Sequence, residues 1–345
     1  MMKYKLLGNS GVRVSEICLG TMTFGSDTDF GCDYETSKKI FDVYVNKGGN
    51  FIDTANIYTA GNSEMITGDL VRSDRDHFVL ATKYTLFDKK GDPNFSGNHR
   101  KNMMRSIEGS LKRLNTEYID LFWVHAWDFT THVEEVMRGL DDLVSQGKVN
   151  YIGVSDTPAW IIAKANTVSD FRGWSKFCAL QIEYSLTQRT PERDLFPMAK
   201  EFDLAVTSWA PLAGGALTGK YLKNEQGRVP EHSLRRNEKS TTIASEVVKI
   251  AEELGKSPAQ VALNWNRQKE QIVIPIIGAR KAEQIEDSLG CLVFTLSEEE
   301  IKRLDEVSKI ELGFPHDMLA SEQVKEVSFG GTHSQIENHR NIKSK

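Results

Sequence analysis

The 345-residue sequence lacks several features that mark special classes of protein. No apolar run reaches the roughly 20 residues of a membrane-spanning helix, and no signal-peptide stretch follows Met1-Met2-Lys3. Neither charge sign dominates: 43 basic and 48 acidic residues leave a net charge of −5, which offers no basic surface for nucleic acid or anionic lipid. We therefore expect a cytoplasmic protein with neither nucleic-acid nor membrane partners.

Cysteine is scarce, and metal-binding patterns are missing. The four cysteines, Cys18, Cys32, Cys178 and Cys291, are widely spaced and form no CxxC pair, which suits reduced, buried thiols in the cytosol. The eight histidines show no HExxH or comparable ligand spacing. These absences predict free thiols and no metal site.

The sequence does contain a regular alternation of short apolar runs and amphipathic stretches. Residues 3–15 are typical of a β-hairpin, with a turn at Gly8-Asn9-Ser10-Gly11. Eight apolar runs predict strands that are covered on both faces: 17–19, 51–53, 78–82, 118–124, 151–154, 179–183, 205–208 and 272–276. The amphipathic stretches predict helices, several of which end at glycine: 37–46, 101–114, 133–145, 158–165 and 243–254.

Two proline-containing pairs, Thr157-Pro158 and Ser257-Pro258, predict helix starts behind a hydroxyl cap. Eight β/α units in a chain of this length favour an α/β protein with one domain, residues 1–345, folded as a parallel (β/α)8 barrel of the TIM type. A doubly wound open sheet is the alternative. A polar loop after the seventh strand, 223–240, and a polar tail of about 321–345 lie outside the alternation. We expect the tail either to be mobile or to cover a mouth of the barrel.

Four titratable side chains follow the ends of three neighbouring predicted strands. Asp53 and Tyr58 follow the second strand, Lys83 the third and His125 the fourth. Because the chemistry of a barrel lies at the carboxyl ends of its strands, and neighbouring strands are about 4.8 Å apart, these groups can reach one another. Tyr58 can protonate a developing alkoxide, Lys83 with Asp53 can ease the loss of that proton, and His125 can orient a carbonyl. Each residue alone has an ordinary structural explanation, so the combination carries the hypothesis.

The run from Asp53 to Tyr58, DTANIY, and the following GNSE at 61–64 resemble the DTAxxY…GxSE signature of the aldo-keto reductases. The similarity extends from Leu6 to Gly290. In that family the four residues matching Asp53, Tyr58, Lys83 and His125 form the catalytic tetrad. Residues 97–128 and 147–160 are similar to the aryl-alcohol dehydrogenase branch, which acts on aromatic aldehydes and alcohols. The resemblance implies reversible, NADPH-dependent reduction of a small carbonyl substrate, an aldehyde or ketone, with Tyr58 as general acid.

The same resemblance implies a site for NADP(H). Ser155 and Asp156 match the Ser-Asn pair that binds the nicotinamide carboxamide, and Asp lacks the donor that Asn offers. Gln181 would complete this clamp, and Trp209 would stack on the nicotinamide. Arg280 and the backbone from Gly278 would bind the adenosine 2′-phosphate, which favours NADP over NAD. The other predicted cofactor residues are Thr21, Met22, Ala210, Pro211, Leu212, Gly214, Leu217, Gly219, Lys220, Gln284, Asp287 and Ser288.

Two of these cofactor segments depart from known patterns. The run 214–220 nearly matches a P-loop, but Tyr221 stands where Ser or Thr is required. In the aldo-keto reductases the equivalent segment lies along the pyrophosphate. Asp287 and Ser288 stand where the family often has Glu-Asn, which leaves the adenine contacts open.

Phe24, Trp127 and Phe129 are predicted to line the substrate site, where aromatic walls suit flat, apolar carbonyl compounds. Two other functions stay open. The first is a redox-sensing regulatory subunit, like the potassium-channel β subunits, which share this fold but carry Asn in place of His125. The second is a class I aldolase that forms a Schiff base on Lys83. The sequence leaves oligomerisation open.

Overall fold

Eight parallel strands close into a barrel in the computed structural model, which describes residues 1–26, 31–223, 225–227, 229–230, 232–233 and 235–337. They follow one another in chain order, and the last pairs with the first. The predicted (β/α)8 barrel is confirmed, and the doubly wound sheet is wrong. After the hairpin of β1 Tyr4–Leu6 and β2 Arg13–Ser15, the barrel strands are β3 Cys18–Gly20, β4 Phe51–Asp53, β5 Val79–Tyr84, β6 Ile119–Val124, β7 Val149–Ser155, β8 Phe177–Glu183, β9 Ala205–Trp209 and β10 Val273–Ile277.

Helices surround this barrel and bury their apolar stripes against it. Val136 and Leu140 of the fourth helix are fully buried in one cluster with the strand residues Phe122 and Ile152. In the described residues the α-helices are α1 Tyr34–Asn46, α2 Asn62–Val71, α3 Arg100–Leu114, α4 Val133–Ser145, α5 Ala159–Arg172, α6 Leu195–Glu201, α7 Glu238–Leu254, α8 Pro258–Arg267, α9 Ala282–Leu289, α10 Glu298–Val307, α11 His316–Ala320 and α12 Glu322–Phe329.

A helix begins at both predicted proline-marked positions, and the predicted hydroxyl cap is confirmed for α8 but wrong for α5. Ser257 caps α8, because its hydroxyl oxygen accepts a hydrogen bond from the Gln260 N–H at 3.2 Å. Thr157 does not cap α5. Its hydroxyl donates to the carbonyl of Ser155 at 2.8 Å, and the helix starts after Pro158. Asp156 has a φ of +41°, so the chain turns sharply before the helix and Thr157 faces back toward the strand.

The N-terminal hairpin, which is confirmed, closes the end of the barrel at which the strands begin. Leu7 and Val14 are fully buried in a cluster with inward-facing strand residues such as Leu121. The Lys5 ammonium donates to the carbonyl of Val273 at 2.9 Å. Gly8 has a φ of +58°, and a Cβ there would collide with the Cys178 carbonyl, so the turn requires glycine. The opposite end of the barrel remains the open mouth.

The segments outside the barrel differ in part from expectation. The predicted loop 223–240 is shorter, since α7 already begins at Glu238, and residues 224, 228, 231 and 234 of it lie outside the described residues. The predicted tail contains α12, with Val327 79% exposed, while its residues 338–345 lie outside the described residues. All four cysteines are free and buried, as predicted. In the described part of the chain, no helix is long and apolar enough to span a membrane.

Candidate active site

Lys83 is the most enclosed of the four predicted catalytic residues. It lies near the carboxyl end of β5 and is completely buried. Its ammonium pairs with the Asp53 carboxylate of β4 and donates to the Thr54 carbonyl at 2.8 Å and to the Tyr58 Oη at 3.2 Å. An ammonium has three protons to donate, and all three are engaged. Lys83 therefore joins the strand end to the phenol in a fixed geometry.

Tyr58 reaches this ammonium because the chain folds back after β4. The turn contains Thr59 and Ala60 with φ of +45° and +53°, a backbone region that non-glycine residues seldom adopt. Contacts hold it in place: the Thr59 hydroxyl donates to the Phe24 carbonyl at 2.7 Å. Strained turns of this kind occur where the surrounding structure fixes a functional group. The result is a half-buried phenol whose hydroxyl faces the inside of the mouth.

His125 completes the group from the end of β6. Its backbone N–H donates to the Tyr84 carbonyl at 3.2 Å, and its ring meets the Tyr58 ring edge-on, with 6.0 Å between centroids. The Nδ1 atom is buried and has no hydrogen-bond partner among the residues that the structure describes. The structure thus brings all four predicted residues together at one end of the barrel.

Burial and charge set the protonation of this group. Burial raises the pKa of the Tyr58 phenol above its usual value, against the opposing effect of Lys83. Burial alone would lower the pKa of Lys83, but attraction to Asp53 and Tyr58 outweighs it and the net pKa is raised. Burial, helped by the Lys83 charge, holds the pKa of His125 well below its ordinary value. At neutral pH the site therefore combines a protonated phenol, a charged ammonium and a neutral imidazole.

Gln181 makes a contact that the sequence did not predict. Its side-chain amide donates to the Asp53 Oδ1 at 3.0 Å, so it holds this carboxylate directly. Gln181 lies on β8 and Asp53 on β4, which are not neighbours in the barrel, so the bond crosses its interior. Beside Gln181 in register, Ser155 is buried, and its hydroxyl has no partner in the described ranges. That hydroxyl is available to a bound ligand.

An aromatic platform lies on the same rim. The half-buried Trp209 donates from its indole N–H to Asp156 Oδ1 at 3.1 Å. The Arg235 guanidinium lies 5.6 Å from the centre of the indole ring and pairs with Glu183 at 2.7 Å. Loss of water around the Asp156 carboxylate raises its pKa, against the effect of the indole hydrogen bond. These contacts fix the orientation of the indole.

Two neighbouring cations, Lys220 and Arg280, lie further along the rim. Lys220 and Arg280 form no ion pair within the described part of the chain. Burial and repulsion by Arg280 lower the pKa of Lys220, as two neighbouring cations require. Next to them α9 begins after Lys281 without a side-chain cap, which leaves backbone N–H groups free for an anion. The donor set therefore fits phosphate.

Comparison with known proteins assigns the chain to a protein family. The profile of the aldo/keto reductase family matches residues 16–309. Norsolorinic acid reductase from Aspergillus flavus is 39% identical over 324 residues, which cover 91% of this chain and 83% of the relative. The NADP(+) aryl-alcohol dehydrogenase from Phanerodontia chrysosporium is 38% identical over 335 residues, covering 90% and 87%. This chain belongs to the aldo/keto reductase family. It is an oxidoreductase that acts on carbonyl or alcohol groups, and its likeness to the aryl-alcohol dehydrogenase branch is confirmed.

The aldo/keto reductase places several predicted site residues away from the open mouth. Phe24 and Leu217 are completely buried in the core and expose no surface to a ligand. The Thr21 hydroxyl bonds the Asp53 carbonyl at 3.1 Å and Ser63 at 2.9 Å. Asp287 accepts from Ser257 and from Gln260, both at 2.9 Å, and so ties α9 to α8. In this structure the side chains of Phe24 and Leu217 pack in the core, and those of Thr21 and Asp287 are held by hydrogen bonds. The substrate role of Phe24 and the cofactor role of Asp287 stay predictions.

The remaining predicted residues lie on or beside the rim of the reductase. Gln284 uses its Oε1 to accept from the Arg280 backbone N–H at 2.8 Å, and Ser288 is buried in α9. On the substrate side Trp127 is half-buried and Phe129 is 68% exposed. Among the others, Gly278 is exposed, Pro211 and Gly219 are buried, and the half-buried ones are Met22, Ala210, Leu212 and Gly214.

Proposed function

We propose that this reductase converts aldehydes or ketones, aromatic ones among them, to alcohols with NADPH, and that Tyr58 donates the proton. One observation carries the proposal: the fully buried Lys83 ammonium lies 3.2 Å from the Tyr58 Oη and is paired with Asp53. A phenolate left after proton transfer would be stabilised at once by this charge. The name of the NADP(+) aryl-alcohol dehydrogenase relative supports both the cofactor and the substrate class.

The residues of the rim fit NADPH. The unpartnered Ser155 hydroxyl and Asp156 would bind the carboxamide, and Trp209 would support the nicotinamide ring. Lys220 and Arg280 would bind phosphates, and Arg280 can distinguish a 2′-phosphate from a hydroxyl. Bound NADPH supplies the hydride. The Asp156 carboxylate can accept a hydrogen bond from the carboxamide NH2. For this bond the protein needs to supply only an acceptor, so the side-chain donor of Asn is not required.

The chain's own residues supply the proton and orient the carbonyl. The neutral His125 imidazole can donate a hydrogen bond to the substrate oxygen and hold it near the Tyr58 hydroxyl. Tyr58, whose pKa is raised by burial, stays protonated until negative charge develops on that oxygen. Asp53, held by Gln181, keeps Lys83 charged and in place.

The same geometry argues against the aldolase hypothesis. A lysine that forms a Schiff base must be a neutral amine. Lys83 instead has a raised pKa, and its three N–H groups donate hydrogen bonds to Asp53, Thr54 and Tyr58. His125 likewise separates this chain from the regulatory β subunits, because it retains the imidazole that they replace by Asn.

Replacement of Tyr58 by Phe tests the proposal. The ring stays, so NADPH affinity should be unchanged, while kcat for carbonyl reduction should fall by about 10²–10⁴-fold, the usual contribution of a general acid. Tyr34→Phe, which removes an exposed phenol paired with Asp69, is the matched control and should leave kcat unchanged. Near-normal turnover of Tyr58→Phe, with activity lost in Lys83→Met or His125→Ala, would show that another group is the acid.

A further inference from the structure

Two loops of the mouth are locked together by a pair of reciprocal hydrogen bonds. The Asn98 backbone N–H donates to the Asp128 carboxylate at 2.6 Å, and the Asp128 backbone N–H donates to the Asn98 side-chain oxygen at 2.6 Å. The Asn98 amide also donates to the Ala126 carbonyl at 2.9 Å. Asn98 follows β5 and Asp128 follows β6, so the contact spans 30 residues of chain. We call this pair the Asn98–Asp128 bracket.

The bracket joins a buried amide to a half-buried carboxylate that accepts several hydrogen bonds. Asn98 is completely buried, and a Cβ at Gly97 would approach the Asp128 carboxylate to 2.9 Å. The Asp128 carboxylate also accepts from the Thr130 and Thr131 backbone N–H groups at 2.8 and 3.0 Å, and from the Thr131 hydroxyl at 3.0 Å. Burial would raise the pKa of Asp128, but these donors outweigh it and lower the pKa. The carboxylate therefore stays charged at neutral pH and bonded to both loops.

What the bracket holds is the backbone on both sides of Trp127. On one side, Ala126 donates to the Thr85 hydroxyl at 3.1 Å and accepts from Asn98. On the other side lies Asp128, followed by Phe129 at a φ of +57°. The backbone at Trp127 is thus held two residues from His125, the group that faces the substrate oxygen in the proposed function. The Trp127 indole is half-buried and packs against the core. Lys83 and Tyr58 make no contact with the bracket, so their geometry does not depend on it.

The geometry points to Asn98 and Asp128 as positioning residues that make the site selective for planar, aromatic carbonyl compounds by fixing Trp127. A held indole offers one flat apolar surface, on which a rigid ring can stack without losing rotamer freedom. A flexible aliphatic aldehyde gains less binding free energy from contact with this indole surface, because it loses more conformational freedom when it binds. This inference rests on the proposed function, since selectivity requires that carbonyl compounds be reduced.

A double-mutant cycle tests the inference. Asp128→Asn, Trp127→Ala and the double variant are compared with the native chain in NADPH-dependent reduction of benzaldehyde and of butanal. Asp128→Asn places an NH2 against the donors of the bracket. It should raise KM for benzaldehyde about tenfold, the low end of what a hydrophobic pocket contributes, and leave kcat and the KM for butanal within about twofold. In the Trp127→Ala background the same substitution should change KM for benzaldehyde by less than about twofold.

Asp170→Asn is the matched control, because Asp170 is an exposed carboxylate paired only with Lys176; it should change neither KM. NADPH affinity, measured by fluorescence, reports whether each variant is folded. If Asp128→Asn fails to bind NADPH, Thr131→Val removes one hydrogen bond to the Asp128 carboxylate and should shift KM in the same direction by less.

Equal losses for both aldehydes, additive effects of the two substitutions, or a native chain without preference for benzaldehyde would overturn the inference. A native chain that reduces neither aldehyde would instead overturn the proposed function.

Discussion

At the scale of single residues, Tyr58 and His125 have pKa values displaced in opposite directions by the same cause, burial. The phenol loses its proton above the ordinary value of about 10, and the imidazole gains one only well below about 6.5. The proposed mechanism of reduction needs the phenol protonated and the imidazole able to donate as a neutral ring. The protonated phenol and the neutral imidazole coexist across the neutral pH range. The pH range of activity should therefore be wider than ordinary pKa values would allow.

We therefore expect kcat for carbonyl reduction to stay constant as pH falls through about 6.5, and to decline only as pH rises past about 10. The measurement is kcat between about pH 5 and pH 11 with saturating NADPH and aldehyde. A loss of activity centred near pH 6.5 would show that His125 titrates at its ordinary value. That result would contradict its neutral role.

Arg280 should decide the choice between the two nicotinamide cofactors. A charge-assisted hydrogen bond is worth about 1.5–3 kcal/mol, so Arg280→Ala should weaken NADPH binding about tenfold or more and leave NADH binding nearly unchanged. Arg13→Ala removes an exposed arginine at the opposite end of the barrel and serves as the control. Dissociation constants from fluorescence titration provide the comparison. Equal losses of affinity for NADPH and NADH would show that Arg280 does not bind the 2′-phosphate.

The sequence predicted the tetrad residues but not all of their neighbours. Asp53, Tyr58, Lys83 and His125 could be predicted together because each lies at or just past the carboxyl end of one of three neighbouring strands. The bond from Gln181 to Asp53 could not, because it joins strands on opposite sides of the barrel and depends on how far each side chain reaches into the interior. The complete burial of Phe24 could not be predicted for a similar reason, since nothing local distinguishes an aromatic wall from a core aromatic.

At the scale of elements, α2 and α3 approach so closely that Gly68 has no room for a side chain. A Cβ on Gly68 would collide with the backbone of Leu114, the last residue of α3. We expect Gly68→Ala to lower the free energy of unfolding by about 1–3 kcal/mol, the usual cost of overpacking. Gly11→Ala is the control, because no atom lies within 4 Å of its Cβ position. Denaturant titration measures the free energy of unfolding of both variants. If Gly68→Ala is as stable as the Gly11→Ala control, the two helices can move apart to make room for the methyl group.

Element boundaries were predictable where apolar periodicity runs to the end of the element. The prediction of 133–145 coincides with α4, in which Val133 is buried in the first turn and Leu143 in the last. The starts of α1 and α7 were placed three and five residues late, at 37 and 243 instead of Tyr34 and Glu238. Their first turns are polar or exposed, so periodicity gives no signal there, and the Asp33 and Asn237 caps were the missed clues.

At the scale of the whole molecule, the proposed mechanism assigns no step to a metal ion. Among the described residues, no three His, Cys, Asp or Glu side chains converge in a way that could hold an ion. In the proposed mechanism, Lys83 and His125 supply the electrophilic assistance that a metal would otherwise give. We expect full activity after prolonged dialysis against EDTA, measured as NADPH oxidation with an aldehyde. Inactivation that added zinc reverses would contradict this mechanism.

The N-terminal hairpin has a consequence for how the chain acquires its fold. Lys5 bonds Val273, which lies 268 residues later, and β3 finds its second neighbour only in β10. During synthesis, therefore, the hairpin is made long before β10, the strand that completes its contacts with the barrel. Leu7 and Val14 stay without their permanent surroundings until the final strand exists, and contacts so distant in sequence form slowly. A nascent chain interrupted before β10 would still carry an unsealed barrel with both of its edges unpaired.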